Sequence, residues 1–420
     1  MKISVLGAGY VGLITGVCLA DLGHEVVCID VVPEKVARIN MGMSTLFEEG
    51  FEEKLRRLLA EHRFRASMDP AEISTSDITF ICVGTPSQQD GTLDLKYVRQ
   101  ASRMIGEALA LKDRHHTIVV KSTVMPGTCD DVVAPELERA SKKCIGKDIG
   151  LCMNPEFLKE GTAIFDFMHP DRIIIGGNDD RAIQEVKDLY EPFNCPKMEV
   201  SLITAEMIKI AANSFLATKI SFANEMGNLC KQMGVDFRQV AEGIGYDARI
   251  GRSFLRAGCG FGGSCFPKDV KGIAAEAKRR GLNTTLLDAT LEVNRRQPLI
   301  MLDLLEKHMS PGDKTIAVLG LTFKPNTDDV RDASSIMIVG ELLKRGARVR
   351  AYDPKGMDNF RAVFPEITYC SSVNDCLNSA DAVMIITEWT EFSAPEQYGE
   401  KLVIDGRGIT RTNSYDGICW

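Results

Sequence analysis

The chain has 420 residues, 45% of them hydrophobic and 26% charged, with a formal charge of −8 at neutral pH. That length suits two or three domains better than a single core, and the composition excludes disordered, fibrous and coiled-coil classes. The negative charge argues against general binding of nucleic acid or of a membrane surface, while leaving room for Lys and Arg gathered around an anionic ligand.

In chain order, residues 2–7 (KISVLG) read as a short buried strand, GAGYVG as a turn, residues 11–22 as a helix ending at Gly23, and HEVVCID as the next strand. A third strand, DITFICVG, precedes Thr85. TIVVKST and DIGLCMN are further strands alternating with helical stretches, which implies a parallel sheet. From about Thr204 to Met233 the pattern becomes one long helix followed by more helix, so a boundary is expected near residue 200. After the Pro311-Gly312 turn the strands return as TIAVLG, ARVRAYDP, DAVMIITEW and KLVIDGRG. IAVLG, RAYDP and ADAVMIIT echo ISVLG, VCIDV and SDITFICV in the same order, which points to two related domains. The expected fold is α/β, with two Rossmann-like doubly wound parallel-sheet domains (1–200 and 301–420) joined by a central helical region (201–300). The thirteen cysteines are scattered, include no C-x-x-C and show no zinc spacing, so no metal is expected. With no basic leader and no apolar run long enough for a bilayer, a cytoplasmic location is expected.

Gly7, Gly9 and Gly12 form G-x-G-x-x-G between strand and helix, where they permit a tight turn and close approach of the backbone to a pyrophosphate. Asp30 ends the next strand, and its carboxylate would accept hydrogen bonds from a ribose 2′-hydroxyl and repel a 2′-phosphate, favouring NAD over NADP. Lys35 lies near that ribose or is simply solvated.

The segment GFGGSCFPKD puts Cys265 after a glycine-rich loop and ahead of Pro267, at a helix N-terminus. That position, with Lys268 nearby, favours the thiolate. Cys18, Cys28, Cys82 and Cys152 read as buried apolar filler, and Cys259 as incidental. Lys209 and Asn213, four apart on an apolar helix, share a face. Together they suit an oxyanion, or else form a snorkelling Lys beside a core Asn. Glu156 and Glu160 in NPEFLKEG follow a strand, at the edge where α/β ligands bind, or serve as helix-start carboxylates. Thr123 in KSTVMPGT also follows a strand, where its hydroxyl could orient a water or be structural.

Taken together, GAGYVG, CVGTP, STVMPGT, NPEFLKEG, the Lys209/Asn213 helix, GFGGSCFPKD and GLTFKPNTDDVRD resemble the UDP-glucose/GDP-mannose dehydrogenase family in order and spacing, over essentially the whole chain. The resemblance implies an N-terminal NAD domain, a central dimerisation region and a C-terminal nucleotide-sugar domain. It implies a four-electron oxidation of a sugar C6 alcohol, with Cys265 as nucleophile, Lys209 and Asn213 stabilising oxyanions, Asp269 and Thr123 holding water, and Glu156 assisting thioester hydrolysis. Tyr10 and Val11 within the glycine turn, Thr85, Thr123, Glu160, Lys268 and Arg331 are then expected at the cofactor. Glu156, Phe157, Leu158, Lys159, Lys209, Asn213, Arg256, Phe261, Gly262, Lys324 and Arg407 are expected at the nucleotide sugar, with Arg249 reaching it from a partner subunit of a homodimer or higher oligomer. Taken alone, Lys324 and Arg331 are equally well read as surface charges.

Arg256 stands where many relatives carry Lys. Ser264 resembles the UDP-glucose and GDP-mannose branches rather than the N-acetylhexosamine one, and the RIG of Arg249 to Gly251 leans towards UDP-glucose. GDP-mannose and UDP-N-acetylhexosamine remain alternatives. From other classes, a non-catalytic NAD-responsive regulator competes, as does a one-step β-hydroxyacid dehydrogenase, which would not explain the Cys265 loop.

Overall fold

Two parallel-stranded sheets organise the chain, and the computed structural model describes all residues 1–420. The first contains Lys2–Leu6 (β1), Glu25–Ile29 (β2), Phe64–Ser67 (β3), Ile78–Ile81 (β4), His116–Val120 (β5), Ile149–Met153 (β6), Ile173–Gly177 (β7) and Lys197–Val200 (β8), in the order β3-β2-β1-β4-β5-β6-β7-β8. The second contains Thr315–Leu319 (β9), Arg348–Tyr352 (β10), Thr368–Tyr369 (β11), Ala382–Ile385 (β12), Leu402–Asp405 (β13) and Tyr415–Gly417 (β14), in the order β11-β10-β9-β12-β13-β14. Strands β1, β4, β5 and β6 are buried almost throughout, as continuous apolar runs flanked by helices require. Both sheets follow the doubly wound order in which strand succession reverses beside the first strand, and ligands of such sheets bind at that crevice.

The expectation of a parallel sheet holds with one exception, the antiparallel pairing of β6 with β7 through Cys152–Gly177 and Met153–Gly176. A Cβ on Gly177 would lie 2.7 Å from the Ile183 side chain, so only glycine fits there.

By internal contacts the chain divides into two compact units, Met1–Ala211 and Ala212–Trp420. The helix Leu202–Gln232 crosses that division; its 31 residues carry no proline and extend for about 46 Å. The second unit buries Ala223 and Cys230 of this helix and Met301, Leu302 and Leu305 of the helix Thr285–His308 in one core with the inner residues of β9, β12 and β13.

The echo between the halves extends to single hydrogen bonds. Gly7 N–H donates to the Ile29 carbonyl at 2.8 Å and Gly320 N–H to the Tyr352 carbonyl at 2.9 Å. At the opposite sheet end, the backbone of Lys2 is clasped by Asp77 and that of Thr315 by Asp381, each through a backbone and a carboxylate bond. The carboxylates ending β2 and β10 have diverged. Asp30 accepts from the backbone N–H of Ala8 (2.7 Å) and Val32 (3.0 Å) and from Lys35 Nζ (3.2 Å). Asp353, fully buried, accepts from the N–H groups of Leu321, Thr322, Lys355 and Gly356, from the Thr322 hydroxyl and from Trp389 Nε1. Six donors exceed the four lone-pair sites a carboxylate normally offers, so Asp353 is saturated by its own chain.

Asp353→Asn turns one acceptor oxygen into an NH2 facing those donors. It is expected to destabilise the second unit by about 2–4 kcal/mol, read as a shift in the urea midpoint at unchanged slope.

Candidate active site

In the first unit the glycine turn is built as its motif requires. Gly7 has φ +100°, and a Cβ there would lie 2.7 Å from the Cys82 carbonyl; a Cβ on Gly12 would lie 1.8 Å from the Gly7 carbonyl. In front of Gly9 nothing stands within 4 Å. The helix Tyr10–Asp21 starts on Gly9 with no side-chain cap, so no side chain at the cap occupies its first N–H groups. This cradle, with Asp30 at the end of β2, fits a dinucleotide pyrophosphate and its adenosine ribose. Lys35 contacts Asp30 rather than standing alone in solvent. Asp30→Asn is expected to raise KM for NAD about 10- to 100-fold, the loss of a charged hydrogen bond to the ribose, with kcat at saturating NAD little changed; initial rates against NAD concentration read this out.

Further along the same sheet edge, the Thr85 hydroxyl donates to the Thr123 carbonyl at 2.8 Å, bringing together two residues expected at the cofactor. Beyond β6, Glu156 is buried at 7% exposure and pairs with Lys209 Nζ at 2.9 Å, while the Leu158 N–H donates to its other oxygen at 2.6 Å. Burial pushes the Glu156 carboxyl up, but the adjacent Lys209 ammonium, the Leu158 N–H and the charge of Lys121 outweigh it, leaving Glu156 below the ordinary carboxylate range. Phe157 lies under Lys209, with ring centroid and Nζ 5.3 Å apart, and stacks on the Arg172 guanidinium at 3.8 Å. Lys159 is exposed and pairs with Asp166 at 3.0 Å, and Leu158 and Glu160 are half-buried beside it.

In the second unit Cys265 is exposed at the N-cap of the helix Phe266–Arg279. Pro267 occupies the second helical position rather than the first, because Phe266 already has helical geometry. Asn213 Nδ2 donates to Asp269 at 2.6 Å and Lys268 Nζ to the other Asp269 oxygen at 2.6 Å, so this fully buried carboxylate links two other residues expected at the site. Gly262 is pressed against the backbone of Asp332, and Gly263 N–H donates to the Arg331 carbonyl at 2.9 Å. The Arg331 guanidinium is held by Asp329. Lys324 lies 5.6 Å from the ring centre of Phe323. Arg407 is half-buried and pairs with Glu388 at 3.2 Å, and Arg256 donates to the Arg407 carbonyl at 2.6 Å. Arg249, with 89% of its side chain exposed, is clasped by Asp247.

Cys259 is buried, its thiol pushed up to about 12 by burial against the partial relief of Arg407. Cys18, Cys82 and Cys152 are likewise pushed up to about 12. These thiols stay protonated at neutral pH.

Several supporting residues escaped the sequence reading. Asn294 clasps Phe261 with both amide atoms, at 2.7 and 2.9 Å, and Gln297 donates to the Gly258 carbonyl at 2.9 Å, fixing the loop before Cys265. The buried Glu206 accepts from the N–H groups of Gly127 (2.6 Å) and Cys129 (2.7 Å), tying the Thr123 loop to the helix that carries Lys209. Tyr10 donates to Glu48, and Gly161 N–H donates to both at 2.9 Å, linking the glycine turn to the end of NPEFLKEG.

A glycine cradle with an acidic ribose partner on one doubly wound sheet, and a cysteine-bearing loop beside a second, define an NAD-dependent dehydrogenase. Family models agree: residues 1–194 match the NAD binding domain, 203–296 the central domain and 317–412 the UDP binding domain of one family. The chain belongs to the UDP-glucose/GDP-mannose dehydrogenase family, whose members are NAD-dependent nucleotide-sugar dehydrogenases. It is 45% identical to the UDP-glucose 6-dehydrogenase AglM of Haloferax volcanii over 99% of each chain. A solved UDP-glucose dehydrogenase from Pyrobaculum islandicum is 42% identical, with a TM-score of 0.96 over 100% of this chain and 98% of that one. A GDP-mannose dehydrogenase from Pseudomonas aeruginosa is 34% identical and covered completely in both directions, with a TM-score of 0.60. No helix is long and apolar enough to cross a membrane.

Proposed function

We propose that the chain oxidises the C6 alcohol of UDP-glucose to the carboxylate of UDP-glucuronate through a covalent intermediate on Cys265. What carries the reading is 45% identity, over 99% of the chain, with a relative named for UDP-glucose. The alcohol, two NAD and one water yield the carboxylate, two NADH and three protons.

NAD held by the Gly7–Gly12 turn and Asp30 would supply the hydride acceptor for each of the two oxidations. Between them the Cys265 thiolate bonds to the aldehyde carbon, and the oxygen takes up charge that the Lys209 ammonium and the Asn213 amide stabilise. Loss of the second hydride from that carbon leaves a thioester. Thr123 and Asp269 hold the water, Glu156 takes its proton as the oxygen bonds to the acyl carbon, and the carbon–sulfur bond breaks to return the thiolate. Arg256, Arg407 and Lys324 supply positive charge for the diphosphate, with Phe157, Leu158, Lys159, Phe261 and Gly262 lining the sugar nucleotide and Arg249 contributed by a partner subunit. Glu160, Lys268 and Arg331 serve the cofactor side.

In the same reading the chain has a cofactor part (1–200), a helical dimerisation part (201–300) and a nucleotide-sugar part (301–420), and works in the cytoplasm. The exposed Phe215, Phe222 and Leu229, spaced by seven on one face of the long helix, support a homodimer; light scattering reads the mass.

The reading is tested by mixing the enzyme with limiting UDP-glucose and excess NAD, with GDP-mannose in parallel. Two NADH per UDP-glucose is the expected result. Turnover of GDP-mannose alone would overturn the substrate, and absence of NADH with any nucleotide sugar would overturn the reaction.

A further inference from the structure

Lys121 directly follows β5, with its side chain inside the first unit at 4% exposure. Its ammonium donates to Asn154 Oδ1 at 2.8 Å, to the Asn154 carbonyl at 3.4 Å and to the Tyr190 hydroxyl at 3.3 Å. The rings of Phe167 and Tyr190 flank it, their centroids 6.0 and 5.7 Å from Nζ. All these partners are neutral, so a full positive charge is held in the interior with its balance supplied through space. Three acids line the same pocket as Lys121: Glu156, Asp166 and Asp171. Asp166 is paired with Lys159 and Asp171 is exposed to solvent; Glu156, already paired with Lys209, is the buried acid of this lining, and the Lys121 charge adds to that of Lys209 in holding its carboxyl below the ordinary range.

The same contacts form a knot across three strand ends. Asn154 N–H donates to the Val120 carbonyl at 2.9 Å, Asn154 Nδ2 to the Ile174 carbonyl at 2.8 Å, and the Tyr190 hydroxyl to Asn154 Oδ1 at 2.6 Å. Thr123 leaves its strand two residues beyond Lys121, and Glu156 leaves its own two residues beyond Asn154.

We propose that Lys121 is a positioning residue for thioester hydrolysis: it sets the spacing of Thr123 and Glu156 and supplies the second positive charge beside that carboxylate. It therefore governs release of the product from Cys265 rather than removal of hydride. The step concerned is attack of water oxygen on the acyl carbon, passage of its proton to Glu156 and departure of the Cys265 thiolate. This inference rests on the thioester reading above.

The test is rapid mixing of the full chain with UDP-glucose and excess NAD, following NADH formation, with intact mass of the quenched protein to detect the acyl adduct. Lys121→Met is expected to keep the first-turnover NADH phase within about twofold, to lower the steady-state rate about 10- to 100-fold and to accumulate adduct. Lys121→Arg, which keeps the cation and its donors, should recover most of the rate. Equal slowing of both phases, or no change in either, overturns the proposal. Should Lys121→Met fail to fold, Tyr190→Phe removes one arm of the knot while keeping the ring; it should show the same imbalance between phases to a smaller degree, and equal slowing in it overturns the proposal as well. One NADH per sugar from the unaltered enzyme would instead remove the thioester reading, and this inference with it.

Discussion

Cys265→Ser is expected to lower steady-state turnover by about a thousandfold or more, roughly 4 kcal/mol of transition-state stabilisation, and to cap NADH formation at one per active site or fewer. The reason is chemical rather than steric. Serine has nearly the same shape and leaves the N-cap of the helix Phe266–Arg279 unchanged, so affinity for both ligands should stay within a few-fold. Its hydroxyl ionises far above neutral pH, however, and an ester would be a poorer acyl intermediate than a thioester. The measurement is NADH per active site in a single mixing experiment, with a parallel determination of NADH affinity. Two NADH per sugar from the serine variant would mean that the second oxidation needs no covalent attachment.

Lys209→Met is expected to act on stability and rate together. The Lys209–Glu156 pair is buried on both sides, 2.9 Å apart, and removing one partner of such a pair costs about 3–5 kcal/mol because the remaining charge is stranded. The sign of the pH dependence should reverse. In the unaltered chain Glu156 sits below its ordinary value, so its contribution to stability is present above the unfolded carboxylate pKa and is lost as acid drives the pH down through the folded one. Without Lys209, burial dominates and lifts the Glu156 pKa, so the variant should be relatively more stable in mild acid and lose stability as pH rises towards neutral. Urea midpoints at pH 5 and pH 8 check this. Lys209→Met combined with Glu156→Gln should regain most of the stability at pH 8 without regaining turnover, which separates the ion pair's structural part from its chemical one.

Both sites were readable from sequence to the extent that their residues lie close together along the chain. The glycine turn, Asp30 and the cysteine loop are local patterns, and Lys209 with Asn213 stands out because two polar residues interrupt an apolar helix at a helical spacing. Glu206, three residues before Lys209 and buried on the same helix, carried the same signal and could have been found by it. Strands β11 and β14, of two and three residues, are too short for any periodicity to register, and the antiparallel β6–β7 pairing is a tertiary register that no local pattern encodes. The knot of Lys121, Asn154 and Tyr190 joins residues 33 and 36 positions apart. Each of the three reads in isolation as a strand-end or helix-end polar group, and only the sheet brings them together.

The saturated Asp353 bears on how a four-electron reaction can be organised at all. The second sheet repeats the strand order of the first, yet its acidic residue has no lone pair to spare for a ribose, and residues 320–333 intervene between β9 and the helix Ser334–Lys344 that would otherwise present its N-terminus. The duplicated half thus offers no second berth for a dinucleotide. The two oxidations of the proposed reaction would then use the Gly7–Asp30 cradle in turn, with the half-oxidised sugar retained between them. In the proposed mechanism, attachment to Cys265 would answer that need as a mooring, keeping a reactive aldehyde from drifting off during the exchange.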